Sequence, residues 1–152
     1  MEPSGPVAGQ VSETLRRRRA ELYASLSAVE QALAAAGPAD RWVERVRVAL
    51  IELTADFRAH IDMAGSPDGM SHTVLAAAPR LSHAVADLTR ERVEILELID
   101  SLVTAASAPD ATVSVDHLCW RGTVLLERLA RHRQRGSDLL HDADQDDFGG
   151  EG

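Results

Sequence analysis

Four long stretches of this chain repeat apolar residues at intervals of three and four, the spacing of one helix face turned toward a core. The first seam runs Leu15, Arg19, Leu22, Leu26, Val29, Leu33, and the second Val43, Val46, Leu50, Leu53, Phe57, His60. The third runs Leu81, Val85, Leu88, Arg92, Ile95, Ile99, Leu102, and the fourth Leu118, Gly122, Leu125, Leu129, His132, Gly136, Leu139. None alternates with period two, so no strand is expected.

Turn-forming residues divide the seams. "MEPSGPVAG" leads in, and "AAAGPAD" (34–40) carries a Gly-Pro stop followed by Asp40 as an N-cap. "AGSPDGMS" (64–71) reads as a turn, with a short helical piece up to Ala78 and Pro79 at a helix start. "ASAPDAT" (106–112) is the next break, and "DADQDDFGGEG" closes the chain. The spacing predicts helices near 11–36, 41–64, 79–106 and 112–142, flanked by a flexible N-terminus (1–10) and an acidic, Gly-rich tail (143–152). Short connections between long helices favour an all-α, up-down-up-down four-helix bundle.

Each seam holds one large polar residue: Arg19, His60, Arg92 and His132. In that topology the start of the first helix, the end of the second, the start of the third and the end of the fourth lie together. The four interruptions therefore fall at one end of the bundle. Two readings follow. They form a polar layer across the core, or the arginines snorkel to water at the seam edges and the histidines are simply hydrogen-bonded.

Composition narrows the partners. A length of 152 residues suits one domain, and 45% hydrophobic with only 3% aromatic residues is helix composition. A net charge of −8 argues against nucleic acid or an anionic membrane surface as partner. The run Arg16–Arg19 does not reverse this, because consecutive helical residues surround the axis and form no stripe. Cys119 is the single cysteine, which precludes an intrachain disulfide and fits a reducing compartment. With no apolar leader and no long apolar run, a cytoplasmic protein is expected. Heavy use of Ala, and of Arg over Lys, points to a GC-rich bacterial genome.

At these residues the chain resembles the hemerythrin-like (HHE cation-binding) family, over roughly residues 12–150. "LRRRRAELYASL" is similar to the first-helix pattern in which a histidine precedes leucines by three and seven residues. "ADFRAHIDMAG" resembles the second-helix His-x-x-x-Glu pattern, and "TRERVEILELI" a third-helix segment built around a histidine. "LARHRQRGSDLL" followed by "DFGGEG" resembles the fourth helix and tail of a bacterial subgroup.

The resemblance implies a di-iron site inside the bundle. Carried over residue by residue, His60 and His132 match the second and fourth helices, but Arg19 and Arg92 stand at the first- and third-helix ligand positions. Ala64 and Gly65, and Gly136 and Ser137, stand where the carboxylates belong. Arginine offers no lone pair to a metal. The expectation is a degenerate cation site, kept as a non-catalytic binding or sensing module around Arg19, His60, Arg92 and His132, for a small anion or a partner protein. No cofactor is then expected.

Two alternatives stand beside it. One is an iron-binding, oxygen- or redox-linked carrier or sensor with rearranged ligands: His60, His132, His83 and a carboxylate such as Asp87, which lies four residues beyond His83. The other is a structural interaction bundle whose arginines reach solvent. Asp56, one turn before His60, is a candidate counter-charge for the arginines.

No enzyme is expected. His117 and Cys119 lack an acidic orienter, and no glycine-rich phosphate loop, nucleophile elbow or Cys-x-x-Cys occurs. Asp142, Asp144 and Asp146 alternate as in a calcium loop, but Asp147 stands where glycine is needed and no bidentate glutamate follows.

Overall fold

The computed structural model describes residues 4–66, 69–108 and 114–149. It contains α1 (Ser4–Ala34), α2 (Ala39–Gly65), a short α3 (Met70–Ala77), a 3₁₀ turn (Pro79–Leu81), α4 (Ser82–Ala106) and α5 (Val115–Gly149). The four long helices form an all-α bundle: α1 packs on α2, α2 on α4, α4 on α5, and α5 closes back on α1. Among the described residues there is no strand, and no helix is long and apolar enough to cross a membrane.

The seams face the core. Val29, Leu53, Phe57, Ile95, Ile99 and Leu125 are fully buried, with Leu26, Leu50, Leu102, Leu118 and Leu129 beside them. Burying each such side chain contributes roughly 1.5–3 kcal/mol, enough to hold helices whose connections are short. Cys119 packs against this cluster as a small apolar residue.

Several boundaries differ from expectation, each for a local reason. Helix α1 is already formed at Ser4, the first described residue, inside the stretch expected to be flexible. It stops at Ala34 because the backbone turns at Gly37, whose φ of 147° favours a residue without a side chain. Asp40 is not the N-cap of α2. Pro38 holds that position, its carbonyl accepts the Trp42 N–H at 2.9 Å, and Asp40 lies within the first turn. Helix α5 opens one residue after Ser114, whose Oγ accepts the His117 N–H at 3.0 Å.

Helix α5 also runs on through most of the expected tail, as far as Gly149. Its extra turns are held because Ala143 is 2% exposed against Val74 and Ala78. The alternating aspartates from Asp142 therefore lie on a helix and not in a loop. Residues 1–3, 109–113 and 150–152 of the expected termini and third break lie outside the described residues.

The core has two parts. Leu22, Leu53, Ile95 and Leu129 belong to the larger cluster, while Leu88, Leu139, Val74 and Ala143 form a second one beneath α3. Arg92 sits between Leu88 and Ile95, and His132 between Leu129 and Leu139. The polar positions thus lie where one apolar cluster gives way to the other.

Helix α3 reaches this end through a tight passage at Gly69. A Cβ there would lie 2.1 Å from the Met63 carbonyl oxygen and 2.6 Å from that of Ala64. Only glycine permits that approach.

Candidate functional site

Arg19 of α1, His60 of α2, Arg92 of α4 and His132 of α5 line one cleft of about 710 Å³. Helix periodicity turns each of these positions toward the bundle, and the antiparallel arrangement brings the four to the same end. They are not equally deep. Arg92 is 3% exposed and His132 4%, whereas Arg19 is exposed at the mouth.

Small residues leave the space. Ala64, Gly136 and Ser137 line the cleft, and a Cβ at Gly136 would meet only Met70 Sδ, at 3.8 Å. Gly65, adjacent to Ala64, is exposed and faces no atom within 4 Å.

The lining is cationic and apolar. Arg18, Arg19, Arg92 and Arg133 contribute to it, together with His60 and His132, and among the described residues no aspartate or glutamate does. Two of the arginines are engaged elsewhere: Arg18 pairs with Glu21 at 3.4 Å, and the Arg133 guanidinium lies 4.9 Å from the centre of the Tyr23 ring. No acidic partner is found for Arg19 or Arg92 among the described residues. The Arg16–Arg19 run therefore does more than surround its helix, since two of its members reach the cleft.

Arg92 carries the largest unmet demand. Among the described residues its only hydrogen bond is a long one, 3.5 Å from Nη1 to Thr89 Oγ1, and its buried Nε has no acceptor. Burial lowers its pKa, because the low-dielectric surroundings penalise the charge.

The histidines differ from each other. His60 stacks on Phe57, with ring centroids 5.5 Å apart, and meets His132 edge-on at 6.1 Å. Burial, reinforced by the charges of Arg92, His132 and Arg19, pushes its pKa down to about 4. The His60 imidazole is therefore neutral at pH 7. His132 donates from Nδ1 to Glu91 Oε1 at 2.7 Å. Burial lowers its pKa, and the Glu91 carboxylate opposes that shift.

Glu91, which the periodicity reading overlooked, orients the His132 ring from behind the cleft wall. Burial alone would raise its carboxyl, but hydrogen bonds and charge from His132 and Arg135 outweigh this and hold it below the ordinary range. The signal was present: Glu91 lies three residues after Leu88 and four before Ile95, at the edge of the α4 seam.

Other candidates lie apart. His83 and Asp87 are exposed, Asp87 pairs with Arg90 three residues on, and neither lines the cleft. The rearranged ligand set of His60, His132, His83 and Asp87 is therefore not assembled; the face shared by His83 and Asp87 is the solvent side of α4. Asp56 accepts a hydrogen bond from the buried Ser25 hydroxyl and does not partner the arginines. His117 stacks on exposed Trp120, well away from the cleft. Among the described residues, no group of three or more His, Cys, Asp or Glu is arranged to hold a metal ion.

In comparisons with known proteins, no family model, curated protein or solved structure matches this chain.

Proposed function

We propose that this chain is a hemerythrin-like bundle whose cation site has become a cationic cleft, serving as a non-catalytic binding or sensing module for a small anion. The observation that carries this reading is Arg92: a buried guanidinium with an unpaired Nε, in a cleft lined, among the described residues, by four arginines and no carboxylate. A buried cation without a counter-charge costs several kcal/mol, and a bound anion offsets that cost.

The donor set does not fit a pair of iron ions. Two imidazoles remain at the cleft, His132 already donates from Nδ1 to Glu91, and Glu91 is shared with Arg135. Arg19 and Arg92 bring N–H donors and positive charge where lone pairs are required. Ala64 and Gly136, at the positions of the family's carboxylates, leave open volume in their place. The single cysteine and the absence of a membrane-spanning helix among the described residues support a cytoplasmic setting.

Thermal melting of the full chain in phosphate, sulfate and acetate tests the anion reading. An anion at about 100 times its Kd adds about 2.7 kcal/mol, a rise of several degrees for a domain of this size. The rise should shrink in Arg19→Ala and vanish in Arg92→Met. Iron near two per chain in the purified protein would overturn the reading. The family resemblance has its own test. A variant combining Arg19→His, Arg92→His, Ala64→Glu and Gly136→Glu should gain iron affinity over the parent.

A further inference from the structure

The cleft is far larger than a small inorganic anion requires, and most of its wall is apolar. About 710 Å³ lies within the range of small-molecule sites, which are apolar with a few convergent polar groups. Leu15, Leu22, Met63, Ala64, Met70 and Leu140 supply apolar wall, drawn from α1, α2, α3 and α5. Against that wall stands one deeply buried cation, Arg92, with an unfilled donor at Nε. The other arginines lie on exposed positions at the mouth, and two of them are already engaged by Glu21 and Tyr23.

We infer that the ligand of this cleft is a hydrophobic monocarboxylate, its carboxylate on Arg92 and its apolar body along the wall between α2, α3 and α5. The inference rests on the anion-binding reading above and specifies the chemistry of the anion.

Charge and shape both select this class. One buried guanidinium balances one negative charge; a phosphate dianion would bring an excess charge into a wall without a second buried cation. A carboxylate is planar and pairs side-on with guanidinium N–H groups, of which Nε–H is the one left unmet. His60, neutral and stacked on Phe57, adds no second charge. An apolar body would meet the methionines Met63 and Met70, whose unbranched side chains adapt to differing shapes.

The test is calorimetric titration of the full-length protein with octanoate, acetate, inorganic phosphate and octanol, with octanoate kept below micelle formation. The expected result is octanoate binding at least about tenfold tighter than acetate or phosphate, since each buried methylene strengthens binding several-fold. Octanol should bind at least about tenfold more weakly than octanoate, because it cannot satisfy a charged donor.

Arg92→Met should abolish the preference for octanoate over octanol. Should that variant not fold, Gly136→Leu decides instead. It fills the cleft opposite Met70 while leaving every arginine in place, and it should weaken octanoate at least about tenfold. Unchanged octanoate affinity in Gly136→Leu would overturn the inference.

Phosphate or acetate matching octanoate would overturn the inference and leave the small-anion reading intact. Octanol matching octanoate would also overturn it, by showing an apolar cavity without charge recognition. No heat and no melting shift with any of the anions would remove both readings together.

Discussion

His132 Nδ1 and Glu91 Oε1 lie 2.7 Å apart, in a hydrogen bond that ties α5 to α4 beside the cleft. Glu91 is shared with Arg135, so the carboxylate is clamped from two sides by one helix. The bond fixes which ring nitrogen of His132 carries the proton and leaves Nε2 as the free one. It also makes His132 a satisfied polar residue within its apolar seam.

His132→Leu should therefore destabilise the bundle by about 1–3 kcal/mol, because Glu91 then loses a partner in a mostly buried position. A double-mutant cycle with Glu91→Leu checks this. The two losses should be strongly non-additive, with a coupling of about 0.5–3 kcal/mol. Additive losses would mean that the bond contributes nothing to stability.

Stability should fall in mild acid. His60 titrates near its ordinary value of 6.5 when unfolded and near 4 in the bundle. Between these values the unfolded chain binds more protons, so acid favours unfolding. The stabilisation tied to neutral His60 is full above about pH 6.5, drains as pH falls, and levels off below about pH 4, amounting to about 3 kcal/mol. The lowered pKa of His132 acts in the same direction. Urea midpoints measured across this window should slope less in His60→Leu than in the parent; equal slopes would exclude His60 as a source.

The core gives a plainer expectation. Leu53 and Leu129 are 0% and 1% exposed on opposite sides of the larger cluster. Truncating either to alanine should cost about 2–5 kcal/mol in chemical denaturation. Losses below about half a kcal/mol at both would contradict the packing.

Gly69→Ala should be among the most damaging single-methyl additions. Its Cβ would meet backbone oxygens of Met63 and Ala64, which cannot swing aside as a side chain can. The expected loss is about 1–3 kcal/mol, read as a fall in melting temperature. Gly136→Ala serves as the control, because its Cβ meets only Met70 Sδ at 3.8 Å; there the helix gains from losing a glycine.

The sequence by itself determined the helical class, the four seams and the end of the bundle at which Arg19, His60, Arg92 and His132 gather. Seam periodicity is a local property: burial of one helix face needs only residues three and four apart, and short connections leave few ways to pack the helices. What required the tertiary structure was depth and partnership. Arg19 and Arg92 interrupt their seams alike, yet one is exposed and the other 3% exposed, because Arg92 lies mid-seam between two apolar clusters while Arg19 flanks the open mouth. Glu91 and His132 are 41 residues apart in the chain, and their bond exists only once α4 and α5 are packed. His83 and Asp87 share a helix face by spacing, but only packing decides that this face is turned to solvent. Periodicity says which residues share a face; the neighbouring helices decide what each face meets, and that is where charge, hydrogen bonding and cavity volume are set.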